Sequence, residues 1–177
     1  MLRALVITAC VGALHAAIID RIAITVGRDV ITELQLDEEI RITAFLNRQP
    51  IVRNAQARRA AAARLVEQLL VKREMELSHY PLPEQDDVEK YEDQIRAEYG
   101  SAERLSEALA SYDLSATAFK DHLALQLMTL RFIEFRFRPE GGVSAPDIEA
   151  RTDQVLNAWL EQSRKQVNIV YRDKTLQ

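Results

Sequence analysis

The residues that could do chemistry in this sequence are three histidines, one cysteine and a few acidic clusters, and their spacing limits what that chemistry is. His15, His79 and His122 lie far apart, so no pair has the spacing of four that brings two imidazoles to one helix face around a metal. Cys10 falls inside an apolar leader, which leaves the rest of the chain without a thiolate nucleophile, a disulfide or a cysteine ligand. His122 beside Asp121 is the best candidate for acid–base work, and the same pair fits a histidine on a helix surface or in a core. There is no phosphate-cradling glycine loop and no serine elbow. The acidic stretches "LDEEI" and "EQDDVE" read as solvated helix faces, with Glu84, Asp86 and Asp87 placed to suit a helix N-terminus. No catalytic constellation is expected, no metal site and no cofactor. The expectation is a binding protein.

The elements that must position such a binding surface follow from composition and pattern. A chain of 177 residues suits one domain with a single sizeable core. With 47% hydrophobic and 28% charged residues it is ordinary for a globular protein, and its five glycines and five prolines leave long stretches free for helix. The net charge of −4 argues against nucleic acid as a partner, because phosphates are met by a basic surplus. The local basic run of Arg53, Arg58, Arg59 and Arg64 reads as a helix face with acidic partners elsewhere.

Residues 1–16, "MLRALVITACVGALHA", resemble a secretory signal peptide: a positive Arg3, an uncharged apolar run from Ala4 to Leu14, and a small Ala16 for cleavage. The run is too short to span a bilayer, which takes about 20 apolar residues, so no stable membrane insertion is expected. The alternative is lipid attachment at Cys10, whose "ITAC" resembles a lipoprotein box. Export without cysteine chemistry suits the periplasm.

Beyond the leader, Ile22, Ile24 and Val26 alternate as a strand, Gly27 supplies a tight turn, and Val30 and Ile31 return as a short second strand. Thr32 with Gln35 forms a capping-box pattern that opens a first helix, running to about Arg48. A second helix follows over 54–79, with a stripe of Leu65, Val66, Leu69, Leu70 and Leu77. "YPLPEQDD" ends it and starts a third at about Glu84, which stops before Gly100. Ser101 caps a fourth, to about Tyr112, and Ser115 a fifth, to about Arg138. "RPEGGVSAP" gives a linker over 139–146, and a closing segment over 147–177 holds a sixth helix with Ile148, Val155, Trp159 and Leu160 on one stripe. The lone strand "VNIVY" comes next, and the polar end "RDKTLQ" is expected to fray. A two-stranded hairpin and a lone strand are each unstable alone. The fold expected for 17–177 is therefore mainly α: about six helices, with a small antiparallel sheet that pairs the N-terminal hairpin with the C-terminal strand.

The fifth helix is apolar on two sides. Phe119, Leu123, Leu127, Leu130, Ile133 and Phe137 form one stripe, and Leu125, Met128, Phe132 and Phe135 form a second on nearly the opposite face. Both must be covered, which implies either a central helix or one with a face reserved for a partner. In the second case Leu125, Met128, Phe132 and Phe135, with Phe45 as an outlier, are the candidate client-binding residues.

The stretch "IIDRIAITVGRDVITELQLDEEI" resembles the start of the SurA family of periplasmic chaperones, a signal peptide followed by a hairpin of the type "D-R-I-hydrophobic-V-N-D-E-V-I-T" and a helix. Asp20, Arg21, Ile22, Val26, Asp29, Val30, Ile31 and Thr32 match that pattern. "ARLVEQLLVKREMELSHYPLPEQDDVEKYEDQI" is similar to the second and third family helices, "LSATAFKDHLALQLMTLRFIEFRF" to the later helix beginning "S-x-x-x-F", and "WLEQSRKQVNIVY" to the closing helix and strand. The order and spacing of these motifs carry more weight than any one of them. Many members carry a parvulin-type prolyl isomerase domain before the closing segment. Such an insert needs roughly 90 residues for its own core, and 139–168 here is about a third of that, with none of the histidines such a site uses.

The resemblance implies the chaperone part alone: an ATP-independent, non-enzymatic holdase for unfolded polypeptides bound for the outer membrane. A prolyl isomerase-related protein is the first alternative, and a structural or assembly subunit with one dedicated client is the second. A homodimer that buries the second stripe between subunits is a variant of the latter.

Overall fold

The computed structural model describes residues 20–81, 83–137 and 145–177. The leader 1–16 with Cys10, and nearly all of the linker 139–146, lie outside the described residues.

The chain runs β1 (Ile22–Val26), β2 (Asp29–Thr32), α1 (Glu33–Leu46), α2 (Ala55–Leu77), α3 (Gln85–Tyr99), α4 (Ala102–Ser111), α5 (Ala116–Phe137), α6 (Ala145–Gln166) and β3 (Ile169–Tyr171), followed by a 3₁₀ turn at Lys174–Leu176. The protein is mainly helical, as the pattern predicts. The helix starts are fixed by side chains. Thr32 and Gln35 close a capping box on α1, and Asn54, Ser101 and Ser115 each accept a hydrogen bond from a first-turn backbone N–H of α2, α4 and α5. Gly100 ends α3 in the left-handed conformation, at φ +84°.

The sheet has the order β2-β1-β3, antiparallel throughout, with β1 in the centre. Ile24 pairs with Ile31 on one side and Tyr171 on the other, and Gly27 N–H donates to the Asn168 carbonyl at 2.9 Å. The far end of the chain thus supplies the third strand that the hairpin lacks. Gly27 sits at φ +62°, and a Cβ there would come within 2.9 Å of Arg73 Nη1.

Among the described residues, buried side chains form three clusters. The first joins sheet and helices through Ile24, Ile31, Leu36, Ala61, Val66 and Leu160. The second packs Phe45 with Leu105, Leu109, Phe119 and Leu123, and the third packs Val71, Met75, Met128 and Phe132. α5 contributes to the second and third clusters and touches α1, α2, α3 and α6, so it is the central helix.

Several details depart from the pattern-based expectation. The C-terminal end is not frayed: Asp173 caps the 3₁₀ turn and Leu176 is buried against the first cluster. Leu77, expected on the buried stripe of α2, is exposed, because α2 outruns its partners there and the stripe closes at Met75. On α6, Val155 is exposed, while Leu156 takes the inner position beside Trp159. The stretch "LDEEI" is not wholly solvated, since Glu39 is buried. It lies between Leu36 and Ile40 on the inner face of α1 and is held there by Arg64 Nε at 2.7 Å. The basic run does find acidic partners: Arg53 bonds Asp37 at 2.6 Å and Arg58 bonds Glu33 at 2.8 Å.

Candidate client-binding face

The fully buried positions of α5 pass from one apolar stripe to the other along its length, while Ile133 and Phe137 of the first stripe still pack at the margin of the third cluster. Near its start Phe119 and Leu123, from the first stripe, are buried; near its end Met128 and Phe132, from the second, are buried instead. The exchange follows the partners. The first half lies against α1, α3 and α4, whereas the second half lies against α2 and α6, which sit around a different side of the helix. Leu130, on the first stripe, is consequently left 50% exposed, and Phe135, on the second, 67% exposed.

Of the five residues predicted to contact a client, the structure therefore encloses three. Phe45 is surrounded by rings, with Phe119 at 5.4 Å, Tyr112 at 5.6 Å and Tyr99 at 5.7 Å. Met128 is buried against Val71 and Met75, and Phe132 is fully buried, 4.9 Å from the ring of Trp159. These three are core side chains and offer no surface in this arrangement, because each sits on the side of its helix where another helix closes over it. Leu125 is partly covered by the third cluster. Phe135 alone projects outward, its ring 4.6 Å from that of Tyr80.

Two open clefts flank the buried Met128–Phe132 line. The first, of about 490 Å³, is lined by Met75, Tyr80, Pro81, Arg131, Glu134 and Phe135. Its apolar wall is aromatic and thioether, a combination that adapts to varied side chains. Arg131 at its rim bonds Asp87 of α3 at 2.6 Å. That contact, with the Glu84 backbone N–H, holds the Asp87 carboxyl below its ordinary pKa.

The second cleft, of about 550 Å³, lies among α1, α2, α5 and α6. Leu46, Val71, Leu130, Leu156 and Leu160 form apolar walls around a polar floor of Glu39, Arg64, His122 and Gln126. Burial pushes the Glu39 carboxyl up, but the hydrogen bonds from His122 and Arg64 outweigh it and hold the pKa below the ordinary value. His122 Nδ1 lies 3.5 Å from Glu39 Oε2, so the neighbour that engages this imidazole is Glu39 across the helix interface rather than the adjacent, exposed Asp121. Arg64 also reaches Thr43 Oγ1 at 2.9 Å.

Tyr80, Gln126 and Glu39 are the residues the sequence pattern did not single out, whereas Arg64 belongs to the basic run expected to find acidic partners. "YPLP" reads only as a helix break, yet it places Tyr80 beneath Phe135. A lone glutamine in the apolar run "LALQLM", and a glutamate three residues after Leu36 and one before Ile40, were the available signals.

Among the described residues no group of histidines, cysteines and carboxylates is arranged to hold a metal ion, and no helix is long and apolar enough to cross a membrane. No protein-family model matches the chain, and no curated protein sequence matches it.

Proposed function

We propose that this protein is an ATP-independent holdase of the SurA type, acting in the periplasm on unfolded polypeptides bound for the outer membrane. The observation that carries the reading is the apolar surface left open on two sides of the second half of α5, where Leu130 and Phe135 stand exposed, each lining one of two clefts with apolar walls. An unfolded chain exposes the side chains such walls accept, and shielding them lowers aggregation without a chemical step. Shallow, separate contacts bind weakly one by one, so release needs no nucleotide. Met75 and the Tyr80–Phe135 ring pair can repack around different clients. The net charge of −4 keeps a loaded complex soluble. The order of sequence motifs, from the leader through the hairpin to the closing strand, supports the same reading.

Light scattering tests it. An outer-membrane β-barrel protein diluted from urea should scatter less when the full chain is present at equimolar and tenfold ratios without ATP, and lysozyme should have no such effect. Unchanged scattering at tenfold excess would reject the holdase. A single stoichiometric partner recovered with the chain would then point to a dedicated assembly role.

A further inference from the structure

The second cleft has a chemistry of its own. Its ionic groups are already satisfied inside the protein: Glu39 by Arg64 at 2.7 Å and by His122 at 3.5 Å, and Glu67 by Arg164 at 2.6 Å. A charged ligand would have to break one of these pairs to gain another, so the floor selects against ions. Two of the polar groups beside them are also engaged, Thr129 Oγ1 donating to the Leu125 carbonyl and Asn47 Nδ2 to the Thr43 carbonyl, each at 2.9 Å. One buried polar side-chain atom among the described residues has no hydrogen-bond partner: Gln126 Oε1, a neutral acceptor on a residue that lines the cleft. A buried acceptor without a donor bears its desolvation cost uncompensated. The terminal torsion of glutamine is broad, so Oε1 can turn toward the cleft when a donor arrives.

We propose that this cleft binds an extended, uncharged stretch of polypeptide, one backbone N–H of which donates to Gln126 Oε1 while its apolar side chains lie against Leu46, Leu130 and Leu156. The volume of about 550 Å³ falls within the roughly 300–1,000 Å³ of sites that enclose small ligands. The inference rests on the holdase reading and adds a sequence-independent anchor to it, because a peptide N–H is a donor that every unfolded client carries. The apolar walls supply attraction, and the single amide contact fixes where the backbone lies.

The test is fluorescence anisotropy with the full chain and a fluorescein-labelled nonapeptide, uncharged, with one phenylalanine at its centre flanked by valines. A companion series carries a single N-methyl group at each backbone amide in turn. One position of methylation should weaken binding by roughly 3- to 10-fold, the range for one neutral hydrogen bond. Gln126→Leu, which keeps the bulk and removes the acceptor, should weaken the unmethylated peptide by the same factor and level the series. If Gln126→Leu fails to fold, the methylation series on the unmodified protein decides alone. A flat series, or a Gln126→Leu protein that binds as before, would overturn the proposal while scattering suppression still upheld the holdase. No peptide binding together with no suppression would overturn both. Self-association in sedimentation that disappears with Gln126→Leu would give the cleft to a second copy of the chain and likewise overturn the proposal.

Discussion

The two halves of α5 are built from the same residue types and bury their rings with equal closeness, yet they leave different surfaces behind. In the first half Phe119 meets Phe45 at 5.4 Å, and in the second Phe132 meets Trp159 at 4.9 Å. The outward side of the first half carries Lys120 and Asp121, of which Lys120 bonds Glu89 at 3.2 Å. The second half leaves Leu130 and Phe135 exposed on two different sides, each lining its own open cleft. A doubly apolar helix thus does not divide into a core stripe and a binding stripe. Each stripe supplies the core where the neighbours are, and what remains exposed is the part of each stripe the neighbours do not reach.

Truncating either buried ring should be the most damaging change. Phe132→Ala and Phe119→Ala should each cost about 3–5 kcal/mol in urea unfolding, because both leave a cavity among fixed rings. A much smaller loss for Phe132 would mean that the second half is loosely packed and that its core residues are open to clients after all.

The next effect is electrostatic. Arg64→Ala should cost about 2–3 kcal/mol, since it strips a partner from the buried Glu39 carboxylate; Arg64 is itself partly solvated, which keeps the loss toward the low side. The same contact predicts a pH response. Glu39 has a pKa below its ordinary value in the folded protein, so its contribution is complete above that ordinary value and is lost as pH falls through the folded one. The melting temperature should therefore drop on acidification below the usual carboxylate range, and the drop should shrink in Glu39→Gln. An equal acid response in both proteins would assign it to the other carboxyls held below their ordinary pKa, Asp37, Asp87, Glu89, Glu103 and Asp173.

A backbone change in the sheet comes third. Gly27→Ala should cost about 1–2 kcal/mol, because alanine pays in the left-handed region and its Cβ meets Arg73. The smallest stability effect is expected at the exposed end of α5. Phe135→Ser should change unfolding by no more than about 1 kcal/mol, since the exposed ring loses mainly its edge contact with Tyr80.

Much of the fold was legible in the sequence. The capping residues Thr32, Ser101 and Ser115 act locally, through bonds from N–H groups three positions on, so one sequence suffices to place them. The closing of the sheet by Ile169–Tyr171 followed from the instability of a lone strand. The site was less legible. Which turn of α5 is covered depends on where α2, α3 and α6 end, and periodicity does not encode that. The buried Glu39 was hidden in an acidic run whose other members, Asp37 and Glu38, stay partly exposed, and its burial depends on an arginine 25 residues away.

The central claim is that the exposed end of α5 binds while its buried line holds the fold. The double variant Leu130→Ser with Phe135→Ser tests it most directly, with thermal unfolding and scattering of a urea-diluted β-barrel protein measured on the same sample. The expected result is a melting temperature lowered by no more than a few degrees and a loss of most of the suppression. Suppression equal to that of the unaltered protein would contradict it, and so would a double variant that no longer folds.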